Sequence, residues 1–262
     1  MKLIARDLRR PFERALEFQR RTIELIADDV RPIDAGSVVR TPSLPQVWSL
    51  NHVRVTVPLA LSEIVELADA ELAGLSYRDV RIEFDSAGPE LEQAFRAAGW
   101  MVEREVLMAL RHEPRRRADT SAVAECSGEA MLEAMRSWFA EEPPEKSSED
   151  LRQLVEYSHR ESRAREDRLF AIMDGAGRRA LAITKLRSAG AIAQLEDVYT
   201  LPAARGRGYA RSLLTHVTAL AREGGHELTF IVADDQDWPK LLYREIGFEP
   251  IGYTRTAHRE VG

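Results

Sequence analysis

The stretch Gln194-Leu195-Glu196-Asp197-Val198-Tyr199-Thr200-Leu201-Pro202-Ala203-Ala204-Arg205-Gly206-Arg207-Gly208-Tyr209-Ala210 decides the reading of this chain. Its first part is expected to be a strand ending at Thr200, with Pro202 as a break. Gly206 and Gly208 permit a tight turn and let backbone N–H groups approach a ligand with no Cβ in the way. Ala210, Leu213, Leu214, Val217, Leu220 and Ala221 then recur at three and four residues, so the turn opens an amphipathic helix. A helix N-terminus presents unpaired N–H donors and partial positive charge, which suits a phosphate or pyrophosphate, and Arg205 and Arg207 add countercharge. Two other glycine-rich cradles do not fit. A Walker A loop needs Lys followed by Ser or Thr, and a dinucleotide fingerprint needs a third glycine where Arg211 stands.

Downstream, Asp237-Trp238-Pro239-Lys240-Leu241-Leu242-Tyr243-Arg244-Glu245-Ile246-Gly247-Phe248 begins with a capping Asp and an early Pro and ends with Gly at the expected C-cap. This is a short helix carrying Leu-Tyr, followed by Gly-Phe. Between the two motifs, Glu227–Ala233 reads as a strand. Upstream lie a strand Ala122–Cys126, a helix Gly128–Phe139, a polar Pro143-Pro144 loop and a helix over roughly Glu149–Arg165. Strands Leu169–Met173 and Arg179–Arg187 follow, and the turn Ser188-Ala189-Gly190 suits a hairpin into Ala191–Thr200. With a closing strand after Phe248, the order predicts an α+β layered fold with a mixed central sheet.

The clearest break is the charged, aperiodic run from His112 to Ser121, read as a solvated linker, its Arg115-Arg116-Arg117 triplet included. Residues 1–113 are then one domain, 114–121 the linker and 122–262 a second domain. The first half reads as helix Phe12–Ile26, extended segments over Val38–Val57, helix Ala60–Ala73, strand Asp79–Phe84, helix Pro89–Ala98 stopped by Gly99, and strand Met101–Leu110.

The 262 residues are 44% hydrophobic and 31% charged, as in a folded globular protein. A net charge of -6 argues against a generic nucleic-acid binder and fits an amine-bearing ligand. The single cysteine, Cys126, allows no internal disulfide and is expected to be a small buried residue. None of the six histidines forms a metal-like pair, so no metal is expected. Charge interrupts the N-terminus and no run approaches the ~20 apolar residues of a membrane span, so no membrane association is expected and the location is expected to be cytoplasmic.

Arg205-x-x-Gly208-x-Ala210 after a strand, followed in order by Leu242-Tyr243 and Gly247-Phe248, resembles the GNAT acetyltransferase superfamily over about residues 122–257. The resemblance implies a central sheet with two splayed strands, with acetyl-CoA as co-substrate in the gap. Val198, Tyr199 and Thr200 would flank the pantetheine, and Arg205, Gly206, Arg207, Gly208, Tyr209 and Ala210 would hold the pyrophosphate. Tyr243 matches the tyrosine that protonates the departing thiolate. Many members carry Asn where Gln236 stands here, so Gln236 or Asp237 takes that place.

Strand alternation puts Gln194, Glu196, Val198 and Thr200 on one face and Asp197 and Tyr199 on the other, which makes Glu196 the candidate general base. Asp234 and Asp235 are either acceptor contacts or solvated loop charges. Residues 77–110 echo the closing pattern of the second half without its glycine turn, so the first half is expected to be a degenerate copy; within it, Gln46–His52 is a candidate pocket segment, or Trp48 simply packs. The expected activity is transfer of acetyl to a small-molecule amine in a ternary complex, by a monomer or homodimer. Acetylation of a protein amine, or acyl-CoA binding without catalysis, are the alternatives.

Overall fold

The computed structural model describes residues 2–84, 88–116, 118–141 and 146–261, with side chains from Arg10 onward; the Pro143-Pro144 loop lies outside the described residues. In chain order the first half contains α1 (Lys2–Ile26), β1 (Asp29–Ile33), β2 (Gly36–Arg40), β3 (His52–Val55), α2 (Leu61–Glu71), β4 (Tyr77–Ile82), α3 (Pro89–Ala97) and β5 (Met101–Leu110). The second contains β6 (Val123–Glu125), α4 (Gly128–Glu141), α5 (Ser148–Arg165), β7 (Arg168–Met173), β8 (Ala180–Ala189), β9 (Ile192–Thr200), α6 (Tyr209–Glu223), β10 (Leu228–Asp234), α7 (Pro239–Ile246) and β11 (Phe248–Glu260).

Local chemistry sets the helix ends. Ser147 caps α5 by accepting from the Asp150 N–H while Asp150 accepts from the Ser147 N–H, so two orphan donors are satisfied. Pro239 starts α7 and Gly247, at φ 112, ends it. The expected Asp237 cap differs in detail: its Oδ1 accepts from the adjacent Trp238 N–H at 2.7 Å, and Trp238 itself is the N-cap residue. Sequence reading missed β1 and carried the second extended segment on to Val57, where β3 ends at Val55. Between β2 and β3, Asn51 accepts from the Thr41 N–H and donates to the Leu44 and Val47 carbonyls, which closes the intervening loop.

All eleven strands form one sheet in the order β1-β2-β3-β4-β11-β5-β10-β9-β8-β7-β6. It is mixed: β3 runs parallel to β4, and β9 to β10, with antiparallel neighbours elsewhere. The two halves repeat one plan. Three antiparallel strands lead through a helix to a parallel strand, then through a second helix to a closing strand, as β1-β2-β3-α2-β4-α3-β5 and again as β7-β8-β9-α6-β10-α7-β11.

The closing strands are exchanged. β5 pairs with β10 and β11 of the second half, and β11 pairs with β4 of the first. The segment between the halves is exposed yet tethered. The Arg111 and Arg115 N–H groups donate to the Gly247 and Glu245 carbonyls, each at 2.8 Å. A Cβ on Gly247 would stand 2.0 Å from the His112 carbonyl oxygen, so glycine is required there for space as well as for φ.

Helices cover both faces. Leu213, Leu214 and Val217 of α6 and Ile246 of α7 bury one face against Leu195, Ile231 and Met108, and α2 and α3 cover the same face of the first half. The opposite face carries α1, through Phe12, Leu16 and Phe18, and α4, through Met131 and Met135. It also carries α5, whose Ser158 meets Lys185 of β8.

Candidate active site

The parallel pairing of β9 with β10 runs from Ile192/Leu228 to Leu195/Ile231 and stops there, although β9 continues to Thr200 and β10 to Asp234. Residues 196–200 thus lose their β10 neighbour, leaving backbone donors and acceptors along a widening gap. The equivalent pair in the first half stays closed. β3 and β4 pair as far as Val55/Ile82, and the Glu83 N–H extends the ladder to the Val55 carbonyl at 3.0 Å. Only the second of these two parallel pairs has the opening.

At the mouth of the gap the chain turns through Gly206 (φ 77) and Gly208 (φ 81) into α6. Both values lie in the left-handed region, and nothing stands within 4 Å of where a Cβ would be on either residue. The turn is an open concavity at a helix N-terminus, chemically suited to a pyrophosphate. Arg205 is partly committed: its guanidinium bonds the Thr200 carbonyl at 3.1 Å and the Glu141 carboxylate at 2.9 Å. Arg207 is exposed and reaches the Ala203 carbonyl at 3.4 Å. Tyr209 is half-buried against the α6 core, with Ala210 beside it at the start of the helix.

Simple alternation fails along β9. Lys185 faces Glu196 and Ile183 faces Tyr199, so two residues of β8 span three of β9. The extra residue is a β-bulge, and Asp197 takes a left-handed φ of 54 within it. Directly opposed residues share a face, so Glu196 and Tyr199 lie together on the α5 side of the sheet. Val198 packs into the α6 core on the other side, and Thr200 opposes Ala182 of that same core. The expected grouping of Glu196 with Val198 and Thr200 is therefore corrected, and Glu196 shares its face with Tyr199, from which alternation separates it. The Tyr199 side chain is occupied, its ring stacked on Trp138 at 5.3 Å and its hydroxyl bonded to Glu141.

Glu196 sits at the edge of a buried charge network. Lys185, fully buried, places Nζ 2.5 Å from Asp197 Oδ2 and donates to Ser158 Oγ at 2.8 Å. Arg187, also buried, holds Asp167 with two bonds of 3.0 and 2.9 Å and Glu161 at 2.9 Å. Tyr157 of α5 donates to Glu161 at 3.3 Å. Two cations thus already serve three carboxylates. Burial pushes the Glu196 carboxyl up to about 8, with Asp197 and Glu161 adding to the rise against the pull of Arg187 and Lys185. Gln194 donates to the same carboxylate. A carboxylate held near neutrality is suited to general-base work.

Tyr243 projects from α7 into the core beside Phe248, ring centroids 6.4 Å apart. Burial raises its phenol well above the ordinary value and the Glu196 carboxylate raises it further, so the hydroxyl keeps its proton. Gln236 and Asp237 are exposed at the far end of β10, where the Gln236 N–H donates to Asp234 Oδ1 at 2.7 Å. Asp235 is tied to Arg104 at 2.9 Å and Lys240 at 3.1 Å, which leaves Asp234 as the exposed acid of the pair. The Cys126 thiol is half-buried and pushed up to about 11 by burial and Glu125, so it carries little thiolate. Among the described residues no group of His, Cys, Asp or Glu is placed to hold a metal ion, and no helix is long and apolar enough to cross a membrane.

Sequence reading missed Lys185, Arg187, Tyr157, Glu161 and Asp167. The available signal was a pair of cations two residues apart in the apolar strand β8, a pattern costly to bury unless carboxylates wait opposite.

The sheet is mixed and opens between two parallel strands above a glycine turn, with the Glu196 carboxyl and the Tyr243 hydroxyl within electrostatic reach of each other. Residues 132–248 match the family model described as acetyltransferase (GNAT) family. No sequence among the curated proteins matches the chain. Among solved structures, a functionally unknown conserved protein from Staphylococcus epidermidis superposes with a TM-score of 0.72 at 10% identity, over 90% of this chain and 95% of that one. A GCN5-related N-acetyltransferase from Kribbella flavida gives 0.57 at 20% identity, over 95% of both chains. A tandem GNAT protein from the clavulanic acid biosynthesis pathway gives 0.50 at 15% identity, over 77% of this chain and 68% of that one. At these identities the likeness concerns the fold.

Proposed function

We propose that this chain transfers an acetyl group from acetyl-CoA to a primary amine of a small molecule by direct attack within a ternary complex. The observation that carries the reading is the single gap between β9 and β10, which opens onto the Gly206–Gly208 turn and has Glu196 and Tyr243 at its edge. The backbone of residues 198–200 would pair with the pantetheine, and the N–H groups of 206–210 would take the pyrophosphate. Because Glu196 stands on the face opposite α6, an amine can approach the thioester from the α5 side without crossing the cofactor. Glu196 accepts the proton as the C–N bond forms, directly or through a water, and Tyr243 donates its proton to the sulfur as the C–S bond breaks.

In this reading residues 122–262 are the catalytic domain, 114–121 the linker, and residues 1–113 a copy without a cofactor gap that contributes to the acceptor side. Isothermal titration of the full chain with acetyl-CoA, followed by mass spectrometry of an amine screen, tests the reading. Saturable 1:1 binding and a mass gain of one acetyl on an amine are expected. Absence of acetyl-CoA binding overturns it.

A further inference from the structure

Gln194 and Glu196 stand on the same side of β9, Gln194 opposite Arg187 and Glu196 opposite Lys185 of β8. Their backbones are held differently. Gln194 is laddered on both sides, to Arg187 and to Phe230 of β10, one residue before the parallel pairing ends at Leu195. Glu196 is the first residue past that end and keeps only its β8 neighbour. A side chain that must hold one orientation beside such an opening needs support from the fixed part of the sheet.

Gln194 supplies it. Its Nε2 donates to the Glu196 carboxylate, and among the described residues no other side chain is hydrogen-bonded to that carboxylate. The charged groups around Glu196 are engaged elsewhere. On β8, Lys185 serves Asp197 and Ser158, and Arg187 serves Asp167 and Glu161. On α5, Tyr157 donates to Glu161 and lies within electrostatic range of Glu196. On α7, Tyr243 is raised by burial first and by Glu196 second, so it faces the carboxylate as a neutral phenol. Burial opposes the charged form of Glu196, Arg187 and Lys185 favour it through space only, and Asp197 and Glu161 oppose it.

The other end of the Gln194 amide separates this bond from ordinary packing. Gln194 is 1% exposed, and its Oε1 is buried with no donor. A half-satisfied buried amide costs stability, and an apolar side chain of the same shape would serve the core better. What the amide adds is the N–H directed at Glu196.

We propose that Gln194 is the positioning residue of the base: its amide fixes the Glu196 carboxylate beside the gap and favours the charged form that takes up the amine proton. The role of Glu196 as base rests on the acetyl-transfer reading above. Gln194 acts through Glu196 and needs to touch neither acetyl-CoA nor the amine.

NMR of the full-length protein carrying isotope-labelled glutamate carboxyls tests this, with the Glu196 signal assigned by its loss in E196Q. In Q194M, an unbranched apolar replacement of similar length, the Glu196 midpoint should rise by about one pH unit, because a hydrogen bond to a charged acceptor is gone. Turnover by Q194M of any amine returned by the screen should then fall about tenfold at neutral pH, with acetyl-CoA affinity unchanged. An unmoved or lowered Glu196 midpoint overturns the proposal, and so does a loss of turnover equal at every pH, which is what a merely structural residue gives. The wild type provides a reading that needs no variant. Its Gln194 side-chain N–H resonances should shift with the Glu196 titration, and a pH-independent amide overturns the pairing. Acetyl-CoA titrated in parallel separates the failures: if it does not bind, the acetyl-transfer reading falls, while the hold of Gln194 on Glu196 is decided by the NMR midpoint alone.

Discussion

Lys185 Nζ lies 2.5 Å from Asp197 Oδ2, joining a fully buried lysine on β8 to the one bulged residue of β9. The pair stabilises a left-handed backbone that a non-glycine residue adopts at a cost. The bulge it holds also sets Val198 and Thr200 on the face opposite Glu196. Removing the cation leaves a largely buried carboxylate uncompensated. K185A should therefore lose about 3 kcal/mol of stability. Chemical denaturation measures it, and a loss within experimental error would show that the bulge is held by other contacts.

In the proposed reaction Glu196 links activity to pH. As a base it must be ionised, so turnover should rise with pH and level off above about 8, where its carboxyl titrates. E196Q should remove that limb of the profile and lower kcat by about 10²-fold or more. Stability runs the opposite way. The folded carboxyl binds its proton more tightly than the unfolded one, whose ordinary value is 4.5, so its stabilising contribution is full below about 4.5 and is lost as pH rises through about 8. Thermal unfolding of the wild type should show a decline over that window that is smaller in E196Q.

Tyr243 is expected to act through its hydroxyl alone. Its raised phenol stays protonated across ordinary assay conditions, and the ring packs beside Phe248 whether or not the oxygen is present. Y243F should fold normally, bind acetyl-CoA as the wild type does and lose about 10²-fold in kcat. Full turnover by Y243F would assign the acid role elsewhere.

The exchanged closing strands make the halves interdependent. Residues 122–262 alone lack β5, which separates β10 from β11 and supplies the buried run Val106–Ala109. Such a fragment exposes two long unpaired edges and should aggregate on expression. Co-expression with residues 1–113 should restore a soluble complex, read by size-exclusion chromatography. A folded, monomeric 122–262 fragment would mean that β10 and β11 can close on each other.

Much of this protein is legible in its residues. Periodicity and turn chemistry place α6, α7, β5 and β10 to within about a residue, and Gly206, Gly208 and Gly247 stand where left-handed backbone is needed. These features are local, since each depends on residues within one or two turns of chain. The same local signals bring Tyr243 to the neighbourhood of β9, because strand, turn, helix, strand and helix follow one another in order.

The exchange of β5 and β11, the bulge at Asp197 and the network around Lys185 and Arg187 come only with the tertiary structure. β5 and β11 are more than a hundred residues apart in sequence, and no local period records which distant edge a strand will join. Period-two alternation carries no sign of one inserted residue, so Val198, Tyr199 and Thr200 change face relative to Glu196 without a mark in the sequence. The network exists because cations in the apolar strand β8 must be met by carboxylates from α5 and its following loop, a requirement visible in the sequence whose partners only packing selects.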